Sequence, residues 1–243
     1  MKKLRNTTHL LATLCISAAP AVLGMHNVNA RDADGRTALH HAVYRGLHDQ
    51  MRRLIAENAN VDAGDNQALR PLHYAVQTMW ALKAVPILLQ AGANPNATNQ
   101  RGQTPLFSLV NSAKHTPQET DQLIALLLHA GANINAQDRK GATVLHHIAW
   151  TCRPLALAQT LIAAGIDINV RTIYGDTPLH LALKSPHVML AEELIEQGAD
   201  VDACNRWGQK PLFLVTGLSD GQTDIMQPRL IRRLLARGCD MTE

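Results

Sequence analysis

Gly175-Asp176-Thr177-Pro178-Leu179-His180 is the fullest copy of a phrase that returns six times along this chain. Gly102-Gln103-Thr104-Pro105-Leu106-Phe107 is a close second, and looser copies begin at Gly35, Ala68, Gly141 and Gly208. The residues at the Thr position are Thr37, Arg70, Thr104, Thr143, Thr177 and Lys210, which gives spacings of 33, 34, 39, 34 and 33 residues. Each copy runs into an apolar stretch that closes on Gly-Ala-Asn or a variant of it. Self-similarity at such a period marks stacked supersecondary units, none of which can bury its apolar face alone.

The spelling of one unit has physical reasons. Gly before Thr permits the positive φ that ends a tight turn. Thr then caps a first helix, and Pro follows where a missing N–H costs nothing. Leu179 and Ala182 turn inward in the fifth copy. A second helix supplies apolar ridges, among them Leu88-Leu89, Leu126-Leu127-Leu128, Leu161-Ile162, Leu194-Ile195 and Leu234-Leu235. Gly92, Gly131, Gly165, Gly198 and Gly238 stop those second helices. The expectation is an all-α solenoid of about six helix-turn-helix units joined by β-hairpin-like fingers. Their approximate bounds are 31–63, 64–97, 98–136, 137–170, 171–203 and 204–243.

The formal charge of +3 comes from the first thirty residues, which hold Lys2, Lys3 and Arg5 and no acid. The remainder carries 20 basic and 20 acidic side chains, so bulk charge points to neither nucleic acid nor a membrane surface. Residues 1–30 read as a signal peptide: a basic start, an uncharged run from Leu10 to Gly24, and small-residue cleavage candidates at Ala19-Pro20-Ala21 and Val28-Asn29-Ala30. The run is too short for a comfortable membrane span. Cleavage falls between residues 21 and 30, which places the mature protein in the periplasm or outside the cell, and the Lys-Lys start points to a bacterium. The other reading makes Thr7 to Ala30 a decayed N-terminal repeat, since Asn27-Val28-Asn29-Ala30 looks like the end of a unit. Cys204 and Cys239 fall near neighbouring turns, where a bridge is open to them in an oxidising compartment; small buried thiols are the expectation.

Across residues 31–243 the chain resembles the ankyrin-repeat family, on the Thr-Pro-Leu-His phrase and its period. In that family the repeat's own histidine bonds nearby backbone, so His40, His73, His146 and His180 are implied to hold turns and not a metal. No phosphate loop, HExxH or Cys-x-x-Cys is present in the sequence, and the chain reads as no enzyme, with no cofactor and no metal. The resemblance implies a protein-protein interaction scaffold that holds a protein partner along finger tips and first helices, in a concave groove; the alternatives are a secreted effector acting on host proteins, or a cytosolic adaptor where residues 1–30 are not cleaved. Carried onto this sequence, the partner-binding positions are Arg36, Tyr44, Arg45, Gln77, Arg101, Arg139, Lys140, Trp150, Tyr174, Lys184, Arg206 and Trp207. Four of the eight aromatics stand among them, and their cations outnumber acids, so the expected partner presents acidic and apolar groups.

Three departures carry further expectations. The third unit holds extra residues from Asn111 to Gln122, in which Thr116-Pro117-Gln118-Glu119 is a capping box that restarts the helix. The sixth is lengthened from Thr216 to Gln227. In the second unit Pro86 is expected in the early turns of a shortened second helix, and Ala68 with Arg70 is expected to give the least regular turn.

Overall fold

The computed structural model describes residues 27–151, 153–185, 188–216 and 227–238. In it each copy of the phrase opens a helix that pairs with a second one. The pairs are α1 (Ala38–Arg45) with α2 (His48–Ala56), α3 (Pro71–Ala75) with α4 (Ala81–Gln90), and α5 (Pro105–Val110) with α6 (Pro117–His129). They continue as α7 (Val144–Thr151) with α8 (Leu155–Ala163), α9 (Pro178–Lys184) with α10 (Val188–Glu196), and α11 (Pro211–Thr216) with α12 (Gln227–Ala236). First helices pack on first helices of the adjoining units and second helices on second helices, and no strand is present among the described residues. The result is the expected all-α solenoid.

The core is one continuous seam between the two helix layers. Leu39, Leu72, Leu106, Leu145 and Leu179, one from each of the first five phrases, are fully buried, as are Leu88, Leu127, Leu161, Leu194 and Leu234 from the second layer. Each such side chain stabilises by about 1.5–3 kcal/mol on burial, and in a stack most of that depends on the neighbouring unit.

Between units the chain makes a tight finger whose geometry comes from a residue three places before the Gly. Asp32 Oδ1 accepts the amides of Asp34 and Arg36, and Asp65 Oδ1 accepts those of Gln67 and Leu69. Asn99, Asp138 and Asn205 repeat the pattern. Successive fingers are joined by single backbone bonds, such as Arg139 N–H to the Arg101 carbonyl at 3.0 Å. Gly102, with φ of 77°, is needed there for a second reason: a Cβ would stand 2.9 Å from the Arg139 nitrogen.

Histidine clasps tie the units together. His40 Nδ1 accepts the Thr37 amide at 3.1 Å, and its Nε2 bonds the Leu69 carbonyl of the following finger at 3.1 Å. His73, His146 and His180 do the same to Gln103, Asp176 and Gln209. Because Nδ1 accepts, Nε2 carries the proton, and the ring is a neutral tautomer. At the third unit Phe107 replaces the histidine, and the buried Thr104 hydroxyl has no hydrogen-bond partner among the described residues.

On the opposite edge, Asn and Asp side chains link the connectors. Asn29 Oδ1 accepts from Asn60 N–H at 2.7 Å, Asn96 from Asn133 at 2.7 Å, Asn135 from Asp167 at 2.8 Å, and Asn169 from Asp200 at 2.8 Å. Asp62 serves Asn94 in the same way.

Two expectations are corrected. Pro86 sits in the middle of α4, which runs ten residues and is not shortened; only one backbone bond, to the Leu82 carbonyl, is forgone. The finger at Ala68 is as regular as the others, with the same pair of bonds, Asp65 N–H to Leu69 O and Ala68 N–H to Asp65 O. Ala68 takes a φ of 58° where the other units use glycine, so the departure appears as local strain and not as a broken turn. The capping box at Thr116 forms, with Thr116 N–H to Glu119 Oε2 at 2.8 Å. The inserted loop leans on both neighbours: His115 bonds the Val76 carbonyl at 2.8 Å, and Arg153 donates to the Asn111 carbonyl. Cys204 is exposed, against the expectation of a buried thiol, while Cys239 and most of the 216–227 insertion lie outside the described residues.

Candidate functional site

The fingers and first helices of units three to five enclose a cleft of 690 Å³. Arg101, Arg139, Lys140, Trp150, Tyr174 and Lys184 all line it, so half of the sequence-predicted positions converge on one surface. The fingers supply Arg101, Arg139, Lys140 and Tyr174. Helix α7 carries Trp150 one residue before its end, 66% exposed, and α9 ends on Lys184.

Two carboxylates lie at the floor of this cleft, and both are occupied. Asp138, whose side chain is 7% exposed, accepts two finger amides and faces His147 Nε2 at 3.1 Å. Asp176, at 8%, receives Lys184 Nζ at 3.0 Å and Asn205 Nδ2 at 3.0 Å. Arg101, Arg139 and Lys140 form no ion pair among the described residues. The cleft therefore carries unneutralised positive charge beside an exposed indole. His146 beneath it is buried, and the loss of solvent holds its pKa down to about 4, so it adds no charge near neutrality.

Lys184 is less available than its sequence position implies. Besides pairing with Asp176, its ammonium lies 5.6 Å above the Trp207 ring, and Trp207 stacks on Tyr174 with centroids 6.0 Å apart and planes 14° from parallel. Trp207 is still 60% exposed, so the stack extends the cleft as an aromatic platform into unit six. Arg206 stands exposed at the same finger tip.

The remaining positions do not join this surface. Arg36 is half-buried: its Nε donates to Tyr74 OH at 2.9 Å, its guanidinium lies 5.6 Å from the centre of that ring, and it pairs with Asp34 at 3.3 Å. Tyr74 in turn donates to Asp65 at 2.7 Å, and burial together with that bond pushes its phenol up to about 12. Tyr44 shares a small cleft of 210 Å³ with Arg36, His40, His41 and Tyr74. Asp32 beside it faces His41 at 2.8 Å; partial burial works to raise its pKa, but bonds from the Arg36 amide and His41 outweigh this and hold it low. Arg45 and Gln77 are exposed near the ends of first helices and line neither cleft. Sequence reasoning did not single out Asp138, Asp65, His147 or Tyr74. For the two aspartates the signal was present, as an Asp three residues before the turn residue.

Among the described residues no three His, Cys, Asp or Glu side chains converge as a metal would require, and no helix is long and apolar enough to cross a membrane. A family model described as "Ankyrin repeats (3 copies)" matches residues 8–99, 80–172, 112–205 and 153–242. The chain belongs to the ankyrin-repeat family. This ankyrin array is 32% identical over 163 residues to the B-cell lymphoma 3 protein homolog of Mus musculus, covering 67% of this chain and 27% of that protein. It is 29% identical over 134 residues to Ankyrin repeat protein OPG189 of Monkeypox virus, covering 55% of this chain and 22% of that one. Of solved structures, the ankyrin repeat domain of Bcl-3 matches with a TM-score of 0.71 at 25% identity, over 86% of each chain. The chain spans a small part of the curated relatives it matches, down to 4% of the BCL-6 corepressor-like protein 1 of Homo sapiens. These are animal and viral proteins, and they lend no support to a bacterial origin. Ankyrin repeats mediate protein-protein interaction and are typically non-enzymatic scaffolds.

Proposed function

We propose that this ankyrin array is a non-enzymatic scaffold that holds one partner protein in the cleft of units three to five, and that the partner presents acidic and apolar groups there. The observation that carries this reading is the charge balance of the cleft: Asp138 and Asp176 are held by hydrogen bonds and by Lys184, whereas Arg101, Arg139 and Lys140 have no ion-pair partner among the described residues. Positive charge without internal neutralisation steers and selects an acidic counterpart, and an exposed Trp beside it supplies apolar contact. Capture of partners from an extract of the source cells by wild-type protein and by Trp150→Ala/Lys140→Ala is the test. Loss of the captured protein, with an unchanged circular dichroism spectrum, is expected; equal capture overturns the reading.

The basic start and apolar run of residues 1–30 support export to the periplasm or beyond the cell as part of the same proposal. Asn29 accepts from Asn60, and Val28 packs on the core. Those contacts favour cleavage at the Ala21 end of the 21–30 window, which would leave them in the processed chain. The contrary reading, an adaptor retained in the cytoplasm with residues 7–30 as a degenerate first unit, draws on the family match that begins at residue 8. N-terminal sequencing of the mature protein separates the two: a start near residue 22 supports export, and an intact Met1 overturns it.

A further inference from the structure

The third residue of each finger forms a single file along the array. In order these are Asp34, Gln67, Arg101, Lys140, Tyr174 and Trp207, and all six are exposed. They are held in line by backbone: the Asp34, Gln67, Arg101, Lys140 and Tyr174 carbonyls each accept an amide of the next finger at 2.8–3.0 Å. The file is not uniform. It reads acid, amide, cation, cation, aromatic, aromatic from the first unit to the last. Arg139 reinforces its basic half, and the 6.0 Å stack of Tyr174 on Trp207 unifies its aromatic half.

A file with one sign of charge in the middle, aromatic rings at one end and a carboxylate at the other accepts a linear guest in one register. Packed helical units repeat every ~10 Å, and an extended chain advances about 3.3 Å per residue, so one finger corresponds to about three guest residues. We propose that the guest segment is extended, with two carboxylates three residues apart over Arg101 and Lys140 and two apolar side chains at the same spacing on Tyr174 and Trp207. A slide of one finger toward the first unit sets one carboxylate over the uncharged Gln67 and an apolar side chain over Lys140, which disfavours the shifted register. This inference rests on the cleft being the binding surface and adds the order and spacing of the groups it reads.

The probes are fluorescein-labelled peptides of identical composition, set in a Ser/Gly background and followed by fluorescence anisotropy. Two carry the ordered pattern, Asp-x-x-Asp-x-x-Leu-x-x-Phe and its reverse, since the direction of the guest chain is open. The third alternates acid and apolar residues at the same three-residue spacing. One ordered peptide is expected to bind about tenfold tighter than the alternating one, as expected of a central aromatic anchor kept or lost. Lys140→Ala weakens that peptide about two- to fivefold, within the range for an exposed ion pair, and has no effect on a version with Asn for Asp. Trp207→Ala weakens it whether or not the acids are present. Equal binding of ordered and alternating peptides, or no binding by any, overturns the order and spacing. If partner capture still depends on Trp150 and Lys140 in that event, the cleft remains the binding surface; if it does not, both readings fall.

Discussion

Thr104 and Thr177 occupy the same place in two units and have opposite fates. Thr177 accepts from the His180 amide and shares its hydroxyl with His180 Nδ1 at 2.8 Å, whereas Thr104 faces Phe107 and its buried hydroxyl has no hydrogen-bond partner among the described residues. A buried hydroxyl without a partner costs about 1–3 kcal/mol, so Thr104→Val is expected to stabilise by about 1 kcal/mol. Thr177→Val removes a satisfied group and destabilises by about the same amount. Thermal or urea denaturation of the two single variants checks the opposite signs. The same contrast shows what sequence can and cannot carry. Thr before Pro announces a helix start in either unit, because φ/ψ preference and the missing proline N–H act locally. Whether the hydroxyl finds a partner depends on the side chain three residues on. Arg36 and Lys184 make the point for the cleft: their types read as free cations, but Tyr74 and Trp207, 38 and 23 residues away, engage them.

Helix α4 keeps ten residues with Pro86 at its centre because its neighbours α2, α3 and α6 supply enough packing to hold it. Proline in a helix interior is about 3 kcal/mol less favourable than alanine, though part of that is returned by a stiffer unfolded chain. Pro86→Ala is accordingly expected to stabilise by about 1–2 kcal/mol, measured as a higher urea midpoint with an unchanged slope. The proline was legible as a disturbance, but its position was not, since helix boundaries depend on tertiary contacts that pattern alone does not contain. The second helix of unit three was better announced. Thr116-Pro117-Gln118-Glu119 fixes a start through bonds confined to four residues, and α6 begins there. The connector bonds from Asn29 to Asn169 went unread although their residues are in plain view, because each acceptor and its donor belong to different units.

The array as a whole is held by neutral histidines, and this sets its response to acid. His40, His73 and His180 all have pKa values lowered by burial, and His146 falls from 6.5 to about 4. Below pH 6.5 the unfolded chain takes up protons that the folded chain refuses. Stability is therefore intact above that pH and declines as pH falls toward 4. For His146 alone the loss is about 2 kcal/mol at pH 5 relative to neutrality. Urea melts at pH 7 and pH 5 test this, and His146→Gln should flatten the dependence while lowering stability at neutral pH. The repeat period made this whole-molecule architecture readable, since near-identical units constrain one another. The cleft was only half readable, because charge is decided by which carboxylates are already used.

Four of the five joints between units carry a histidine clasp, and the one between the third and fourth does not, since Phe107 stands in its place. Arg101 and Lys140 lie on either side of that joint. A molecule gripping both would act as a splint across the one joint that lacks this clasp, so occupancy should be felt as stiffness along the rod even where no atom of the guest reaches.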